Sequence, residues 1–269
     1  MMDDRQLGWI LSRRKALALF RAVGAAMLVV CIPRKSSAAQ LHSSVLQASS
    51  KANSTTLPAC VVTPQQTEGP YFVDEKLNRS DIRFDPSDKS VKDMELFAAE
   101  DSDRKNSGVP LLLTLRVSGI DSTGCAPLAG AIVDVWHCDA SGVYSDVTDP
   151  SFSTVGKKFL RGYQVTDANG TVQFTTIFPG WYQGRTAHIH FKVRTDATKG
   201  HYEFTSQLYF DDSIADQVYA QTPYASKGQR TLKNPQDRIF RDSGDQLLLT
   251  LNQTSQGYAA TFDIGLQLA

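Results

Sequence analysis

Nucleic-acid binders carry an excess of positive charge, and this chain of 269 residues has none: 28 Lys and Arg stand against 28 Asp and Glu. The balance is uneven. Residues 1–39 hold seven basic residues against Asp3 and Asp4, leaving 21 basic and 26 acidic residues in the remainder. A mildly acidic body with no basic stripe excludes a nucleic-acid partner. Long apolar runs are also scarce. The stretch between Arg21 and Pro33 has 11 residues, well short of the ~20 that a membrane-spanning helix needs. Only four cysteines are present and none forms a CxxC pair, which argues against a cysteine-based zinc site. No internal repeat is visible. With 41% apolar and 21% charged residues, the composition is that of a globular protein rather than a disordered or collagen-like one.

The first 39 residues read as an export signal. Ser12-Arg13-Arg14-Lys15-Ala16-Leu17 is a twin-arginine pattern, followed by Ala/Leu/Val-rich sequence up to Ile32. Ser37-Ala38-Ala39 then places small residues where a signal is cut. Export to the periplasm or the extracellular space is expected, with no membrane attachment once the signal is removed. A twin-arginine signal suits cargo that folds before export, often around a metal. Residues 40–59, rich in Ser, Ala, Gln, Asn and Thr, read as a linker, and 60–269 as one catalytic domain. After signal removal Cys60, Cys125 and Cys138 remain, one disulfide and one free thiol in an oxidising compartment. A strand over 130–137 spans ~26 Å, too far for the preceding residues to fold back across. Cys125–Cys138 is therefore disfavoured, and Cys60 is the expected partner.

From residue 108 the chain alternates short strand patterns with turn signals. Strands are expected at Leu111–Val117, Ala131–Trp136, Tyr163–Val165, Thr171–Thr175, Ala187–Val193, Phe204–Phe210, Gln246–Leu251 and Tyr258–Leu266. Asp167-Ala168-Asn169-Gly170 predicts a hairpin between the third and fourth of these. One short helix is expected at Ser213–Tyr219. The pattern predicts an all-β sandwich, with residues 60–107 mostly irregular.

The sharpest chemical signal is His188-Ile189-His190. Side chains two apart on a strand share a face, ~6.6 Å apart along it, and can converge on one ion. Positions 191–195 read Phe-Lys-Val-Arg-Thr, so the carboxylate that a cupin or a facial triad requires is missing. Tyrosine and arginine lie nearby instead, in Pro179-Gly180-Trp181-Tyr182-Gln183-Gly184-Arg185-Thr186-Ala187-His188. A phenol titrating near ~10 is a poor ligand for divalent metals. Ferric iron is acidic enough to displace that proton, so a Tyr/His cluster favours Fe(III).

The chain resembles the intradiol ring-cleavage dioxygenases, the family of catechol and protocatechuate dioxygenases, from about Thr63 to Phe210. Four anchors occur in the family's order: Thr63-Pro64-Gln65-Gln66-Thr67-Glu68-Gly69-Pro70-Tyr71; Ala131–Trp136 running on to Gly142-Val143-Tyr144; Pro179–His190; and Thr205-Ser206-Gln207-Leu208-Tyr209-Phe210. The resemblance implies a transthyretin-like β-sandwich and a non-haem Fe(III) held by Tyr144, Tyr182, His188 and His190. Tyr182 and His190 would be axial, with Tyr144 and His188 equatorial. It implies supporting roles for Arg185 and Gln207, and places Trp136, Gly69, Pro70 and Tyr71 beside the metal or the substrate. The implied reaction is cleavage of a catechol by O2 to a cis,cis-muconate-type diacid, with Tyr182 taking a substrate proton. Only five residues separate Tyr182 from His188, fewer than in cytoplasmic members, so the catechol itself is left open, as is the oligomeric state. The competing readings are a transthyretin-like sandwich that binds a phenolic or a metal without turnover, and a zinc or copper hydrolase built on the HxH pair.

Overall fold

The computed structural model describes residues 61–87, 107–122, 124–195 and 202–268. The expected export segment 1–39, the expected linker 40–59 and Cys60 lie outside the described residues. In chain order the elements are β1 (Pro110–Asp121), β2 (Gly124–Pro127), β3 (Ile132–Trp136), β4 (Thr148–Asp149), β5 (Phe152–Ser153), β6 (Arg161–Val165), β7 (Thr171–Ile177), β8 (His188–Arg194), β9 (Glu203–Tyr209), α1 (Asp212–Tyr219), β10 (Leu251–Gln253) and β11 (Tyr258–Gln267). None of the described helices is long and apolar enough to cross a membrane.

Period-two burial along β1 builds the first sheet. Leu111, Leu113, Leu115 and Val117 turn inward, while Leu112, Thr114 and Arg116 face out. One edge of β1 pairs in parallel with β11, whose other edge takes β10; the second edge of β1 pairs antiparallel with β7 and then β2. The second sheet runs β6-β3-β8-β9, all antiparallel. Its inner face, Val133, Val135, Ile189, Phe191, Val193 and Leu208, joins the β1 leucines in one core. Each such side chain contributes roughly 1.5–3 kcal/mol of burial, which is what fixes the two layers face to face. The molecule is an all-β sandwich, as the strand pattern implies.

Two local expectations need correcting. The Asp167–Gly170 turn forms, with the Asp167 carboxylate accepting the Asn169 and Thr171 amides at 2.9 and 2.8 Å. It does not close a hairpin: β6 pairs with β3 and β7 with β1, so the turn carries the chain between sheets. The reason lies in Gly170, at φ +70°, whose carbonyl accepts the Val117 amide at 2.7 Å and so ties the turn to β1. The strand expected at Gln246–Leu251 is instead a 3-10 turn, Gly244–Leu247, with pairing resuming at Leu251. Leu247 and Leu249 are buried as a strand pattern demands, yet Leu248 makes only a single bridge, to Tyr209. Burial alternates there without a ladder. The short β4–β5 pair was not anticipated.

The outer face of the second sheet is polar. Cross-strand partners share a face, and the register sets His190 opposite both Trp136 and Gln207, and His188 opposite Tyr209. Three strands thus supply one cluster. Irregular residues 63–75 cover it. The Gln66 backbone amide donates to Thr205 O at 3.0 Å, Gln207 Nε2 donates to Thr67 O at 2.9 Å, and Phe72 packs on Trp136 with centroids 4.9 Å apart.

Candidate metal centre

His188 and His190 stand on β8, both buried, and share the polar face because they are two residues apart. Tyr144 and Tyr182 come from two loops held against each other by glycines. Asp139 organises the first loop, its carboxylate accepting the Ser141 and Val143 amides at 2.8 and 2.9 Å. Gly142 adopts φ +82°, and a Cβ there would overlap the Trp181 carbonyl. From the other side Gly180 donates its amide to Asp139 O at 3.1 Å, in a space a Cβ would fill. The two tyrosines are brought together by backbone contact.

The four side chains converge. Tyr144 Oη lies 3.2 Å and Tyr182 Oη 3.3 Å from His188 Nε2. The His188 and His190 rings meet edge to face at 4.8 Å, and the Tyr144 and Tyr182 rings at 5.9 Å. His188 Nδ1 donates to Thr186 O at 2.7 Å, which leaves the Nε2 lone pair toward the phenols. Among the described residues His190 Nδ1 has no hydrogen-bond partner. Its ring is fixed by stacking on Trp136, with centroids 4.9 Å apart and planes 10° apart. Gly69, at φ +74°, leaves room for that ring: a Cβ there would sit 3.3 Å from His190 Cε1.

Burial controls the protonation of the cluster. It pushes both imidazoles well below their ordinary range, with the Arg185 charge acting in the same direction, so both are neutral donors. It pushes the Tyr182 phenol up to about 12 and that of Tyr144 well above its usual value. Such phenols ionise only against a strongly acidic cation. Among the described residues no group of three or more His, Cys, Asp or Glu side chains is placed to hold a metal, so the donor set is two phenols and two imidazoles. Two ligand atoms about 2.1 Å from one ion, 90–120° apart, are separated by roughly 3.0–3.6 Å. The observed 3.2 and 3.3 Å fall in that range, so Tyr144, Tyr182 and His188 fit around one ion, and the His190 ring stands beside them, 4.8 Å from that of His188 and 6.3 Å from that of Tyr144.

Around the donors, Arg185 places Nη1 3.4 Å from His188 Nε2 and gives Nη2 to Gln207 Oε1 at 2.5 Å. Burial opposes its charge, but Tyr182 and Asp237 more than offset this and raise its pKa. Gln207 donates to Thr67 O at 2.9 Å. Tyr71 stacks on Tyr144 at 4.6 Å and donates to Asp149 Oδ2 at 2.6 Å. Pro70 is exposed at the turn before Tyr71 and makes no described contact with the donors. Every other residue singled out in the sequence lies in or against the cluster.

Three neighbours escaped sequence reasoning. Arg161, paired with Trp136 in the register, donates to Ser145 Oγ at 2.8 Å and to Tyr71 O at 3.2 Å, bracing both sides of Tyr144. Asp149 is the acceptor for Tyr71. Asp237, fully buried, accepts Arg185 Nε at 2.9 Å. Its partner Arg185 lies 52 positions upstream, and no local pattern ties the two together. Elsewhere Cys125 is disulfide-bonded, while Cys138 is free and buried. The pair Cys125–Cys138 is therefore excluded, and the partner of Cys125 lies outside the described residues.

The Dioxygenase family model matches residues 83–267, well over half of the chain. An intradiol ring-cleavage dioxygenase of Tetranychus urticae superposes with a TM-score of 0.63 at 31% identity, over 77% of this chain and 95% of that one. A chlorocatechol 1,2-dioxygenase of Pseudomonas putida is 35% identical over 102 residues, 31% of this chain and 36% of that enzyme. The protocatechuate 3,4-dioxygenase beta chain of Burkholderia cepacia is 28% identical over 174 residues, 60% of this chain and 67% of that one. The chain thus spans little more than a third of the length of the chlorocatechol relative but nearly all of the Tetranychus urticae enzyme. With the sandwich and the matched span together, the chain belongs to the intradiol ring-cleavage dioxygenase family.

Proposed function

We propose that this protein is a non-haem Fe(III) enzyme that cleaves a catechol-type diol with O2 between the two hydroxyl-bearing carbons, giving a cis,cis-muconate-type diacid. The observation that carries the reading is the approach of two phenol oxygens to within 3.2 and 3.3 Å of one imidazole nitrogen, with no carboxylate donor grouped with them among the described residues. Tyr144, Tyr182, His188 and His190 would hold the iron, which supplies a Lewis acid that ionises the phenols and the diol and orients the ring for O2.

The chain's own residues do the rest. Tyr144 is sealed, whereas Tyr182 is half-buried. Tyr182 Oη is thus the atom placed to receive a proton from the diol. Arg185 stays cationic and points Nη1 into the cluster, where negative charge develops on the ring. The neutral imidazoles add no positive charge to compete with it. Tyr71, Phe72 and Trp136 line the site with rings that exclude water. The reaction balances without an outside reductant: one C–C bond breaks, and each freed carbon gains one atom of O2.

Export by the N-terminal signal belongs to the same proposal, and the disulfide at Cys125 supports an oxidising destination. Oxygen uptake against a panel of substituted catechols, with products weighed, is the test. One O2 consumed per diol and a product heavier by both atoms supports the reading. Tight binding of a phenolic with no oxygen uptake would leave a binding module instead.

A further inference from the structure

We propose that Asp237 is a positioning residue that fixes the Arg185 guanidinium toward the reacting diol; this rests on the functional reading above. Arg185 has three nitrogens, and two are committed behind the site: Nε to Asp237 Oδ2 at 2.9 Å and Nη2 to Gln207 Oε1 at 2.5 Å. Nη1 alone is left facing His188 Nε2, at 3.4 Å. A guanidinium is planar, so pinning two corners fixes the third.

Asp237 is built for this. Its carboxylate is fully buried and uses both oxygens: Oδ2 also accepts the Thr186 amide at 2.8 Å, while Oδ1 accepts the Ile239 and Phe240 amides at 2.7 and 3.2 Å. The segment carrying it is docked on the entry to β8. Asn234 accepts Thr186 Oγ1 at 2.6 Å and donates to Phe210 O at 2.7 Å. The far corner closes a ring of bonds. Tyr209 Oη donates to Gln66 Oε1 at 2.7 Å and lies 3.2 Å from Gln207 Oε1, and Gln66 Nε2 returns to Ile239 O and Asp242 O at 3.1 and 2.7 Å. Asp237 also compensates, inside the protein, the charge of an arginine that is itself largely buried.

The substitution Asp237→Asn keeps the shape but sets an amide N–H against donors. Iron content and the visible absorption band should match the parent, while kcat/KM for the best diol falls about 10²-fold, through kcat rather than KM. In an Arg185→Gln background the same change should cost less than about threefold, because its target is gone. Equal losses in both backgrounds, or none in either, overturn the role. Crystal structures of the parent and of D237N read the guanidinium directly and need no turnover. A rotated Arg185 supports the proposal, and an unmoved one overturns it. Absence of diol turnover by the parent would instead refute the functional reading, while the crystallographic comparison still judges Asp237. If D237N fails to fold, Asp237→Ser, which clears the space and keeps a weak acceptor, takes its place.

Discussion

Gly142 lies so close to the carbonyl of Trp181 that no side chain fits between them, and each residue is within two positions of a tyrosine of the cluster. Gly142→Ala therefore strains a left-handed backbone and wedges two loops apart. The expected result is a loss of about 1–3 kcal/mol in denaturant unfolding, with a larger proportional loss of bound iron. Iron retained at full occupancy would show that the loops adjust independently.

Tyr182 and Tyr144 differ in access, and their phenylalanine variants should differ accordingly. Tyr182→Phe removes the reachable proton acceptor, and turnover should fall by about 10²-fold or more. The iron protein should be burgundy from tyrosinate charge transfer, and this variant should be paler. Tyr144→Phe, at a fully buried position, should weaken iron retention instead. Titrating iron back into each metal-free variant separates the two effects.

The His190 ring stacks on Trp136, and its Nδ1 has no hydrogen-bond partner among the described residues, so the stack is the contact expected to orient it. Trp136→Ala should cost about 3–5 kcal/mol of stability and 10- to 100-fold in iron affinity. Trp136→Phe keeps a ring in the stack and should restore most of the affinity. If both variants bind iron like the parent, the stack is not what orients the ligand.

His137 gives the pH dependence. Its ring is fully buried between Cys138 O and Thr176 Oγ1, and burial lowers its pKa to about 4. A depressed folded-state value means that the stability this neutral ring contributes is complete above pH ~6.5 and is lost as pH falls toward 4. The loss amounts to about 3 kcal/mol over that window. Melting curves of the iron-loaded parent and His137→Gln at pH 7 and pH 4.5 should show a smaller acid shift in the variant.

Much of this was legible because the informative residues are local. His188-Ile189-His190 carries its own geometry, since a strand sets alternate side chains on one face. Tyr182 and Arg185 lie within six positions of His188 and were visible with it. Tyr144 needed the resemblance: nothing in Gly142-Val143-Tyr144 says that a loop 38 residues later will press against it. Asp237 was illegible for the same reason, being placed by tertiary docking. The mistaken hairpin has a similar cause. Asp167–Gly170 encodes a tight turn, but which neighbour each flanking strand chooses is decided by β1 and β3.

The parallel pairing of β1 with β11 has a consequence for how the chain is made. Ten successive residues of the first long strand find partners 147 positions downstream. Until the ribosome delivers that last strand, one border of the sheet stands open to any passing backbone. Such distant closure is slow. A nascent chain in this state needs shielding, and a transcript cut before Tyr258 would encode a protein unable to seal its own interior.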